Sequence, residues 1–212
     1  MAPEIAKAGI GSVGDWKLMN QGSEVGRKHL HRRTVQLDGY LRDDGLWEFE
    51  AELKDTRSYP SEGYERGELA PGEPVHHICV RLTVDHYLLV KDAAFEMKSI
   101  PFGHCQGAAA NPQALVGVTL GQGWRRTVDE RMKGVQGCSH LRELLYALPT
   151  LAMQTLTPYR EAHMPELGAP RDADGTPFYL NQCRSWSFES PVVAKLYPQF
   201  ARSAKGPSSG GE

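Results

Sequence analysis

Apolar and polar residues alternate along the N-terminal half of the chain and recur at helical spacing in the C-terminal half. Leu30 to Leu37 alternates, and Trp47, Phe49, Ala51 and Leu53 form one face opposite Glu48, Glu50 and Glu52. Between them, Arg42-Asp43-Asp44-Gly45 has turn chemistry. A turn centred near Asp43 predicts a hairpin with Leu37 opposite Phe49, Val35 opposite Ala51, Arg33 opposite Leu53 and His31 opposite Asp55. A second hairpin is predicted from Ile78, Val80, Leu82 and Val84 on one face and His77, Cys79, Arg81, Thr83 and Asp85 on the other. A tight turn at Asp85-His86 should lead into a strand from Tyr87 to Met97.

The Gly/Pro-rich stretch 60–74 between the hairpins reads as a surface loop. After Pro101 the period changes. Asn111-Pro112 is a helix start, with the helix ending at Gly121. Trp124, Val128 and Met132 share a side of a second helix. Leu141, Leu144, Leu145, Leu148 and Ala152 stripe a third, from about Ser139 to Leu156, which Pro149 should kink or interrupt. Strands first and helices afterwards predict an α+β fold: an antiparallel sheet of about four or more strands, in two hairpins, covered by C-terminal helices. The expected organisation is a flexible segment 1–26, one α+β domain 27–200 and a disordered tail 201–212.

Composition narrows the function classes. Lys+Arg number 24 and Asp+Glu 26, a net charge of -2, which argues against a nucleic-acid binder. No apolar run reaches the roughly 18 residues of a membrane span, and the N-terminus lacks a signal-peptide layout. The expectation is therefore a cytoplasmic protein, with no nucleic-acid or membrane partner and with a homodimer as one option for its assembly. Cys79, Cys105, Cys138 and Cys183 are too irregularly spaced for a disulfide framework and are expected to be reduced.

Two constellations can carry chemistry. His31, Arg33 and Asp55 are polar residues on a core-facing strand face, where a carboxylate orients an imidazole as a general base; the plainer alternative is an ion pair at the sheet rim. Cys138, His140 and Glu143 begin a helix whose amides favour an anion or lower a thiol pKa, or else merely cap and pack it. Arg81 is a carboxylate clamp only if a helix covers its face. His29-x-His31, His76-His77, His104-Cys105 and Cys138-x-His140 offer metal donors without a diagnostic spacing, so no metal and no cofactor is expected. A cysteine hydrolase is disfavoured, because Cys138 and its near neighbour His140 do not easily reach thiolate–imidazolium geometry.

The order of His31-x-Arg33, Arg42-Asp43-Asp44-Gly45-Leu46-Trp47, Val80-Arg81-Leu82-Thr83-Val84-Asp85, Leu115-Val116-Gly117, Gly123-Trp124 and above all Gly137-Cys138-Ser139-His140-Leu141-Arg142-Glu143-Leu144-Leu145 resembles the bacterial family catalogued as domain of unknown function 2889. Ser139 stands where that family is expected to have Thr, keeping the hydroxyl. One activity associated with similar proteins is a phenylcoumaran γ-formaldehyde lyase. The resemblance then implies a cofactor-free carbon–carbon lyase taking a lignin-derived phenolic β-5 dimer to formaldehyde plus a stilbene. Such chemistry would use His31 backed by Asp55 as base, His140 with Glu143 for a second proton, Arg33 or Arg81 for the phenolate or a carboxylate, and Trp47, Trp124, Tyr59 and Phe102, with Cys138, as the wall around a small aromatic substrate. The other classes are a non-catalytic aromatic-acid binding protein and a zinc-dependent hydrolase.

Overall fold

Among the described residues, six strands and three α-helices follow the expected order of strands before helices. The structure is a computed structural model and describes residues 26–109, 111–132 and 134–202; the expectations for 1–25 and 203–212 lie outside the described residues. Contacts divide the chain at Leu30/His31, and these strands and helices all belong to the unit that begins at His31.

β1 (His31–Leu41), β2 (Trp47–Arg57), β5 (Pro74–Val84) and β6 (Val90–Ser99) form one antiparallel sheet in the order β1-β2-β5-β6. Its inner face carries Trp47, Phe49, Ala51 and Leu53 with Ile78, Val80, Leu82 and Val84, all buried, as the alternation requires. The helices α1 (Trp124–Met132) and α2 (Ser139–His163) bring Trp124, Val128, Met132 and the Leu141–Ala152 stripe into the same core. α3 (Pro191–Leu196) is capped by Ser190, whose hydroxyl accepts from the Val193 amide at 3.1 Å.

Several local expectations are corrected. The first hairpin pairs Leu37 with Ala51, Val35 with Leu53, Arg33 with Asp55 and His31 with Arg57, two residues away from the predicted register. The turn centres on Asp44 because the Arg42 amide closes on the Leu46 carbonyl at 2.9 Å and Gly45 takes φ 81°. A shift of two keeps every side chain on its predicted face. β6 starts at Val90 rather than Tyr87, since the Asp85 carboxylate accepts from the Tyr87 and Leu89 amides and holds 85–89 as a loop. The 60–74 stretch holds a small ribbon, β3 (Ser61–Glu62) with β4 (Glu68–Leu69), and buries Leu69.

The helix expected from Asn111 to Gly121 is only a 3-10 turn, Pro112–Leu115. Beyond it the backbone bonds to the chain entering β6: the Gly117 amide donates to the Val90 carbonyl, and the Val90 amide donates to the Val118 carbonyl, each at 2.9 Å. α2 runs unbroken through Pro149 and ends at His163. It lies across the inner face, with Glu143 at the Arg33 end and Tyr159 against Trp47 at the other. Thr155 sits so close to β1 between them that a Cβ at position 39 would overlap its hydroxyl, and Gly there avoids the clash.

Candidate functional site

Asp55 is the last inward-facing residue of β2 before its pairing with β5 is disrupted. The register slips between Asp55 and Thr56, where Val75 of β5 is the extra residue, and again where His77 and Ile78 meet β6, whose Lys98 is the extra residue. Bulges re-aim side chains at the end of a sheet, and here β1, β2, β5 and the start of α2 meet. Asp55 is 1% exposed. Its partner in register, Arg33, grips it with both prongs, Nε to Oδ1 at 2.8 Å and Nη2 to Oδ2 at 2.7 Å, and reaches Glu143 of α2 with Nη1 at 2.6 Å. His31, diagonal on the same strand, brings Nε2 to 3.0 Å from Oδ1. From the other side, His76 Nδ1 lies 3.3 Å and His140 Nε2 3.7 Å from Oδ2. The His76 and His140 rings lie together at 4.2 Å between centroids.

The electrostatics follow from this arrangement. Burial pushes the Asp55 carboxyl up, but hydrogen bonds from Arg33 and His31 outweigh it and hold the pKa down to about 2, so the group is a fixed anion. Burial and the neighbouring His140 lower His76 and favour its neutral ring. His140 is raised by its contact with Cys138, whose Sγ lies 3.7 Å from Nδ1, with burial opposing. Burial raises the Cys138 thiol, but His140 and the amides of Leu141 and His140 reverse that and leave it below its ordinary value. Although residues two apart do not easily reach thiolate–imidazolium geometry, the two side chains approach closely here: Cys138 is the extended N-cap residue of α2 and His140 lies in its first turn, so the chain bends between them and folds the thiol back toward the ring.

His76, His140 and Cys138 line a cavity of about 810 Å³, walled by Ile78, Met97, Ile100, Phe102 and the loop carrying His104 and Cys105. That size holds a drug-sized ligand. His31, Arg33, Asp55, Cys138, His140 and Glu143 are therefore brought together, and Phe102 lines the cavity. Four expected residues are not. Arg81 projects from the outer face toward Glu48 and Asp92. Trp47 is core at the opposite end of β2, its indole donating to His86 at 3.2 Å. Trp124 is buried and borders a separate cavity of about 430 Å³, and Tyr59 is exposed after β2, away from the cavity wall. Arg33 faces two carboxylates rather than a substrate anion. The residue missing from the expected acid–base set is His76, named only among possible metal donors: it continues the inward alternation of Ile78, Val80 and Leu82, and register places it opposite Asp55.

The profile of a family described as a protein of unknown function (DUF2889) matches residues 31–154. The chain belongs to that family. The matched segment begins with His31 on β1 and ends on α2, so the Asp55 cluster lies wholly inside it. No curated protein matches the chain, and neither does any solved structure.

Donor atoms of Asp55, His76 and His140 lie within 4.8 Å of one another, as do those of Glu52, His77 and Cys79 on the outer face. Both sets already carry a cation on the carboxylate: Arg33 bidentate on Asp55, and Lys54 at 2.9 Å from Glu52. A metal ion at either set would share its carboxylate with that cation, whose charge would oppose it.

Proposed function

We propose that this member of the family is a cofactor-independent carbon–carbon lyase, releasing formaldehyde from a lignin-derived phenolic (phenylcoumaran, β-5) dimer to give a stilbene. The observation that carries the acid–base part is the buried Asp55 anion with His76 and His140 beside it on the wall of the 810 Å³ cavity. The substrate rests on the family resemblance, with the cavity's size and its apolar wall in support.

In this reading the phenol gives its proton to solvent, to be returned when the phenol is re-formed, as the aryl ether bond breaks to give a quinone methide, and the ether oxygen takes a proton from His140, the imidazole whose pKa is raised. The neutral ring of His76 accepts the γ-hydroxyl proton. The Cβ–Cγ electron pair then moves into the quinone methide, restoring the phenol, and formaldehyde departs. Asp55 stays ionised throughout and stabilises whichever imidazole is charged, while Arg33 fixes Asp55 and Glu143. His31, half exposed on the far side of Asp55, holds that carboxylate from the solvent side.

Incubating the purified, chelator-treated protein with a phenylcoumaran carboxylate tests the proposal, with stilbene absorbance and formaldehyde followed in one sample. Both products should appear at equal yield. Intact substrate bound without turnover would replace the lyase by an aromatic-acid binding protein, and activity only with added zinc would replace it by a metal-dependent enzyme.

A further inference from the structure

Cys138 has no part in the proton transfers just described, yet its sulfur shares the cavity wall with His140. Sγ lies 3.7 Å from Nδ1 of His140, whose other nitrogen lies 3.7 Å from Oδ2 of the buried Asp55. Thiol, imidazole and carboxylate thus stand in line, the order in which an enzyme activates a sulfur nucleophile. The charged and titratable groups around the line are Asp55 of β2, His31 and Arg33 of β1, His76 of β5, His104 of the loop after β6, and Glu143 of α2 itself. Asp55 lies within ion-pair distance of the ring, and Arg33, a cation that acts against its charge, is occupied by Asp55 and Glu143.

We infer that Cys138 is a nucleophile for carbonyl carbon, with His140 as its proton partner and Asp55 as the positioning group, and that it captures a small aldehyde in the cavity. The step needs no further reagent. The thiol proton passes to His140, sulfur forms a bond to the carbonyl carbon, and the C=O π pair moves onto oxygen. That oxygen takes the proton back from His140, leaving a neutral hemithioacetal, and the reverse sequence frees the aldehyde. Formaldehyde as the occupant rests on the proposed lyase reaction; the nucleophile itself rests on the geometry.

The test is alkylation of the intact protein by iodoacetamide across pH, read site by site by mass spectrometry, with exposed Cys183 as the internal reference. As pH falls, Cys138 should keep a larger share of its alkylation rate than Cys183 does, because His140 stabilises its thiolate. His140→Ala should make the Cys138 profile follow that of Cys183. His140→Gln, which keeps the side chain polar, serves if the Ala variant fails to fold by circular dichroism. Millimolar formaldehyde should slow Cys138 alkylation severalfold, reversibly on dialysis, and leave Cys183 unchanged.

A Cys138 profile parallel to that of Cys183, insensitivity to both His140 variants, or no protection by formaldehyde overturns the inference. None of these readings uses the aromatic dimer. A Cys138 profile displaced to lower pH than that of Cys183, with formaldehyde protection but no stilbene formation, would therefore sink the lyase reading and leave this one standing.

Discussion

The indole N–H of Trp124 donates to the backbone carbonyl of Leu145 at 2.7 Å, in the buried interface between α1 and α2. Leu145 is four residues before Pro149, and a proline has no N–H to close that helical bond. The side chain from α1 thus satisfies the oxygen that the proline orphans, and α2 continues to His163.

A double-mutant cycle checks this relationship. Trp124→Phe leaves a buried carbonyl unpaired and should cost about 2 kcal/mol beyond the lost packing. In a Pro149→Ala background the backbone N–H returns, and the same substitution should cost about 1 kcal/mol less. Equal costs in both backgrounds, measured by urea unfolding, would mean that the indole does not stand in for the helical donor.

Asp55 should dominate the acid side of the stability curve. Its folded pKa of about 2 lies below the ordinary 3.8, so the stabilisation is full above that ordinary value and is lost as pH falls from about 4 through 2. A shift of nearly two units corresponds to about 2 kcal/mol. Asp55→Asn should remove this acid-dependent loss and also destabilise the protein at pH 7 by about 3 kcal/mol, because Arg33 and the imidazoles lose their anion. An unchanged acid slope in the variant would assign the loss to other carboxylates.

The two neighbouring histidines should titrate in opposite directions from the ordinary 6.5, His140 above and His76 below it. Stability contributed by His140 is present below pH 6.5 and is lost as pH rises through its folded value. That contributed by His76 is present above pH 6.5 and is lost as pH falls through its own. Ring-proton NMR resolves them separately. Cys138→Ser should bring His140 back down, since the thiol is the largest cause of its shift; a His140 value indifferent to that change would break the link.

Gly39→Ala should destabilise the sheet–helix contact by about 1–3 kcal/mol, because the new methyl group would overlap β-branched Thr155. Thr155→Ala in the same chain should recover most of that loss. Additive rather than compensating costs would show that the methyl group finds room elsewhere.

The period-2 and helical patterns specified the α+β order, the inward faces of β2 and β5, and the α2 stripe, because burial on one face leaves its spacing in the sequence. The same alternation put His31, Arg33 and Asp55 on one side, and a two-residue register error did not move them off it. Where the sequence misled, a partner distant in the chain decided. Asn111–Gly121 gave up its helix to pair with the backbone entering β6. Pro149 was carried through α2 by Trp124 of α1.

What only the tertiary structure decided is the meeting of β1, β2, β5 and the start of α2 around one carboxylate. Local spacing records which face a residue occupies, but not which remote residue stands opposite it or which end of a helix lies over the sheet. His76 therefore joined Asp55 through register, His140 and Glu143 reached Asp55 and Arg33 through the docking of α2, and Arg81, Trp47 and Trp124 were carried elsewhere by the same packing.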